Sequence, residues 1–63
     1  ENLSARELEI LDYVTQGFNN QDIANELGLS RYTVEAHLRN IYSKLAVDSR
    51  SKAIKIAYSL GLF

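Results

Sequence analysis

The 63-residue chain has no cysteine, so neither a disulfide nor a thiolate metal centre can hold it together, and a domain this small must live on helix packing. Its longest apolar runs are two or three residues, far short of the roughly 20 needed to cross a bilayer. No basic-then-apolar stretch opens the sequence, and the lack of thiols suits a reducing compartment; the expectation is a cytoplasmic protein with no membrane partner. There is one histidine, without cysteine or a convergent carboxylate pair, which makes neither a metal site nor a catalytic triad. With no nucleophile-base pair and too little chain for a substrate pocket, no enzyme and no cofactor are expected. The chain opens on Glu1 rather than methionine, which reads as a piece of something larger, with a regulatory domain missing.

A net charge of −1 speaks against nucleic acid until it is divided by position. Residues 1–30 hold six carboxylates and one arginine, a net of −5, whereas residues 31–63 hold six cations and two carboxylates, a net of +4. A basic half inside an acidic domain is the electrostatic footprint of a duplex-binding surface.

Local signals divide the chain into four helices. Ser4-Ala5-Arg6-Glu7 forms a capping box, Leu8, Ile10, Leu11 and Val14 follow on one side, and Gly17 stops the helix after Gln16. Phe18 reads as a core plug under that turn. Asn19 or Asn20 caps a short second helix, buried through Ile23, Ala24 and Leu27 and closed by Gly28. Ser30 then caps a long third helix. Two helices joined by about three residues including a glycine, with small Ala24 and apolar Val34 at the crossing, make a helix-turn-helix. Ala46-Val47-Asp48 breaks the third helix, and Asp48 or Ser49 caps a fourth that runs to about Ser59. At roughly 100° per residue, Ala53, Ile56, Ala57 and Leu60 share its core face, while Ile54 and Tyr58 stand on a neighbouring one. The whole chain, residues 1–63, therefore reads as one all-α, four-helix domain.

The third helix has two unlike faces. Val34, His37, Leu38, Ile41 and Leu45 form the side that packs, with His37 structural and Tyr13 and Tyr42 at the core edge. Tyr32, Glu35, Ala36, Arg39 and Ser43 look outward, flanked by Thr33, Asn40 and Lys44. Central Arg39 can fork onto a guanine edge or a phosphate; Thr33, Asn40 and Lys44 suit the phosphate backbone, which positions without specifying. Ser30 and Arg31 stand where free amides can hold a phosphate, and Tyr32 can lean on a sugar. A helical protein-interaction module docking on polymerase through this helix is the alternative use of the same face.

The stretches Leu3–Leu11 (LSARELEIL), Gly17–Ala24 (GFNNQDIA), Leu27–Val34 (LGLSRYTV) and His37–Leu45 (HLRNIYSKL) together resemble the LuxR/FixJ-type DNA-binding domain of bacterial transcription regulators. The resemblance implies that the third helix enters the major groove of double-stranded DNA and the fourth pairs two subunits. Ile54 and Tyr58 are then the homodimer contact, weak in the isolated domain. It further implies a receiver or ligand-sensing domain ahead of this one, as in two-component response regulators, and allows a contact with RNA polymerase. One position departs from the pattern: many members carry a base where this chain has Glu35. That carboxylate can accept from a cytosine amino group or orient Arg39 one turn on, and the second role is expected because an i,i+4 pair needs no particular base sequence.

Overall fold

The computed structural model describes residues 2–63. Four helices follow in order, α1 (Ala5–Thr15), α2 (Asn20–Leu27), α3 (Arg31–Leu45) and α4 (Arg50–Ser59), and no strand occurs among the described residues. α3 is the axis of the molecule, packed against each of the other three.

Each helix begins where a short polar side chain can satisfy its free amides. Ser4 Oγ accepts the Glu7 N–H at 3.1 Å while Glu7 Oε1 accepts the Ser4 N–H at 2.8 Å, a closed capping box of the kind that contributes about 1 kcal/mol. Asn19, not Asn20, caps α2, its Oδ1 accepting the Asp22 N–H at 2.8 Å. Ser30 caps α3 and Ser49, not Asp48, caps α4. Gly28, at φ 67°, supplies the left-handed residue that ends α2 and turns the chain into α3. At the end of α3 the same conformation falls to an alanine: Ala46 sits at φ 57°, at a cost of about 1 kcal/mol that glycine would avoid.

The core is the meeting of four apolar stripes. Ile10, Leu11 and Val14 of α1, Ile23 and Ala24 of α2, Val34, Leu38 and Ile41 of α3, and Ala53 and Ala57 of α4 are all buried. Each of the larger ones contributes about 1.5–3 kcal/mol by leaving water. Phe18 plugs the α1–α2 turn, its ring 4.9 Å from that of Tyr13.

The face assigned to α4 needs correction in three places. Leu60, expected in the core, is 62% exposed: it is the C-cap residue of α4 and borders an open apolar recess with Leu3, Leu8 and Leu45 rather than filling it. Ile56 is half-buried rather than buried. Ile54, expected to stand clear as a dimer contact, is half-buried against the core. Ala53 and Ala57 are so small that the backbone of α4 comes close enough for the flanking isoleucine to reach inside.

Candidate nucleic-acid interface

α3 turns a largely polar stripe to solvent: Arg31, Tyr32, Thr33, Arg39, Asn40 and Ser43 are exposed, with Ala36 half-buried among them. Ser30 Oγ is occupied at the start of that stripe, accepting the Thr33 N–H at 3.1 Å and lying 3.0 Å from Thr33 Oγ1. Its capping role is therefore in place before any ligand arrives. Tyr32 is 79% exposed. His37 is half-buried.

The charged residues are arranged differently from the helical-wheel expectation. Glu35 turns toward the N-terminus of its helix, its Oε2 lying 3.4 Å from Arg31 Nε, and does not pair with Arg39. A cation in the first turn faces the positive end of the helix dipole, so Arg31 gains more from a neighbouring carboxylate than Arg39 does. Arg39 is left exposed with no carboxylate in ion-pairing range among the described residues, free to fork onto an acceptor.

Lys44 leaves the flank altogether. Its Nζ donates to Glu7 Oε1 at 2.8 Å and lies 3.4 Å from the Asn2 carbonyl. Glu7 is only 5% exposed, and a buried carboxylate without a partner costs several kcal/mol, so the lysine is drawn inward. The Lys44 ammonium, helped by the Ser4 amide, holds the Glu7 carboxyl below its ordinary value against the opposing effect of burial. A phosphate contact from Lys44 is accordingly set aside. Sequence reasoning read Glu7 only as a capping residue, although it stands on one face with Ile10, Leu11 and Val14, and a carboxylate on an apolar face calls for a cation across the core.

Beside the stripe, between the start of α2 and α3, runs a groove of about 550 Å³ that includes Asn19, Asn20, Gln21, Arg31, Glu35 and Arg50 in its walls. Arg50, the first residue of α4, crosses to the α1–α2 turn and donates to the Phe18 carbonyl and, at 3.0 Å, to Asn20 Oδ1. Both acceptors are neutral, so its charge stays uncompensated at the groove wall. Nothing in the local spacing of the sequence marks Arg50 for this position.

Residues 1–57 match the family described as bacterial regulatory proteins, luxR family. The chain belongs to that family. It is 43% identical over 61 residues to the probable transcriptional regulatory protein SgaR of Hyphomicrobium methylovorum, covering 97% of this chain and 29% of that protein. Among solved structures it superposes on the response regulator ChrA of a heme-sensing two-component system with a TM-score of 0.95 and 48% identity, over 100% of this chain and 31% of that one. The DNA-binding domain of the response regulator ComA, solved with the anti-activator RapF, gives a TM-score of 0.89 and 46% identity, over 90% of this chain and 98% of that one. The chain thus spans under a third of the length of SgaR and of ChrA, and nearly all of the ComA domain. Among the described residues no cluster of three metal-ligating side chains occurs, and no helix is long and apolar enough to cross a membrane.

Proposed function

We propose that this chain binds double-stranded DNA sequence-specifically, as the C-terminal effector domain of a two-component response regulator in the cytoplasm. α3 lies in the major groove with Arg39 on a base edge, and Tyr32, Thr33, Ala36 and Asn40 beside it. Ser30 and Arg31 meet phosphates at the helix start, while Glu35 tempers the charge of Arg31 until DNA replaces it. The observation that carries this reading is the exposed stripe of α3 with an unpaired arginine at its centre. A regulatory domain precedes this one, and RNA polymerase is a further partner of the assembled regulator.

Two copies pair weakly through α4 on adjacent half-sites, where DNA raises their effective concentration. Tyr58, 56% exposed, is the leading contact, with Ile54 beneath it contributing only the part the core leaves open. Tyr58→Lys is expected to leave the fold intact and abolish cooperative binding to a two-half-site duplex; unchanged cooperativity moves the dimer elsewhere.

Titration of the chain with random duplex at rising salt tests the reading as a whole. Binding that falls steeply as a power of salt concentration, followed by enrichment of one site from a random pool, is the expected result. No retention on duplex at low salt turns α3 into a protein-docking face instead.

A further inference from the structure

We propose that Asn20 is a phosphate-backbone contact of the duplex-binding face and that Arg50 is the residue that positions it; the proposal rests on the DNA-binding reading above. A guanidinium only donates, so the Asn20 atom that meets Arg50 Nη1 at 3.0 Å is the amide oxygen. That one contact fixes the flip of the amide and leaves its NH2 group on the other side. Among the described residues the NH2 has no acceptor.

Asn20 borders both the larger groove and a neighbouring recess of about 260 Å³ whose walls also include Glu35, Leu38, Arg39, Tyr42 and Arg50. This recess separates the first turn of α2 from α3. When the second helix of a helix-turn-helix enters the major groove, the first crosses the sugar-phosphate strand beside it. A phosphate there meets a neutral two-donor amide, with Arg39 and Arg50 supplying positive potential against the Glu35 carboxylate, which shares the wall and pairs with Arg31. Arg50 itself is committed elsewhere, since its second nitrogen is held by the Phe18 carbonyl in the α1–α2 turn. It sets the orientation of Asn20 and the seat of α2, and Asn20 makes the contact.

The chemistry predicts a neutral contact that positions without specifying. Asn20→Ala should weaken binding about threefold to tenfold on preferred and random duplex alike, leaving the slope of log K against log salt unchanged because no cation is lost. Asn20→Asp keeps the acceptor for Arg50, and places a carboxylate in the first turn of α2 where the helix dipole favours it. Its thermal unfolding should therefore occur at or above the wild-type temperature while duplex binding falls further than in Asn20→Ala. Arg50→Gln should weaken binding as well, and Asn20→Ala made in that background should add nothing, the non-additivity expected when one residue acts through another. Additive losses overturn the positioning role of Arg50. A wild-type chain that binds duplex, with Asn20→Ala and Asn20→Asp equal to it, overturns the contact alone; a wild-type chain that binds no duplex overturns the DNA-binding reading with it.

Discussion

In the first turn of α3, Arg31 meets Glu35 at 3.4 Å with side chains 58% and 37% exposed; in the last turn, Lys44 meets Glu7 at 2.8 Å with side chains 23% and 6% exposed. The chemistry is the same and the surroundings are opposite. The first pair lies within one helix in water, where such contacts contribute a few tenths of a kcal/mol and exchange readily for another partner. The second joins two helices at a mostly buried site, where losing one partner strands a charge. One end of α3 is therefore open to a ligand, and the other is committed to the fold.

The sharpest way to break this contrast is Lys44→Met. It should destabilise the domain by on the order of 3 kcal/mol, a large share of the few kcal/mol that hold a chain of this length, as read from denaturant unfolding. A change below 0.5 kcal/mol would make the two pairs equivalent. The same pair sets an acid limb. The Glu7 carboxyl is held below its ordinary value of about 4.5, so its stabilisation is complete above that value and is lost as pH falls through the lowered one. Glu7→Gln should be less stable at neutral pH and show a flatter loss of stability below pH 4.5. An acid limb as steep as that of the wild type would place the titration elsewhere.

Next in size is Arg39→Ala. It should lose about 1–3 kcal/mol on the preferred site, less on random duplex, with preference relaxed at one base pair. Equal losses on both would remove its base-reading role. Arg31→Ala should weaken binding to all sequences alike and make the salt slope shallower by about 1, while stability moves by under about 0.5 kcal/mol. The smallest effect belongs to Glu35→Gln, which should shift stability by only a few tenths of a kcal/mol and tighten binding to random duplex, since it releases Arg31 from its local partner.

The parts of this fold legible in sequence are those written within four residues. The Ser4–Glu7 box, the Ser30 cap, Gly28 and the centres of the core faces of the first three helices are all local patterns, although Leu8, Leu27, His37 and Leu45, assigned to the same faces, are only half-buried at their edges. The dimer and base-contact residues could be named only as faces. What escaped was anything decided by a second helix. A helical wheel gives the direction in which Lys44 points and cannot say that a buried carboxylate waits 37 residues away. Arg50 likewise finds its acceptors 30 and 32 residues back. Glu35 had an arginine four residues to either side, and the choice between them was made by the field of the helix end rather than by spacing. Leu60 had the right angle and faces Leu3, Leu8 and Leu45 across an open recess, a gap that periodicity does not encode.

Glu7 Oε1 accepts from the Ser4 amide and from the Lys44 ammonium at once. A single oxygen atom thereby serves as the cap of α1 and the anchor of the last turn of α3, so that loosening either end removes a contact from the other. Amide protons in the first turn of α1 and the last turn of α3 should exchange with solvent as one cooperative unit, although helix termini ordinarily open independently and early. The molecule's opening free energy is in this way spread from the start of the chain to the far end of its longest helix, and the recognition helix inherits a rigidity that its own sequence does not supply.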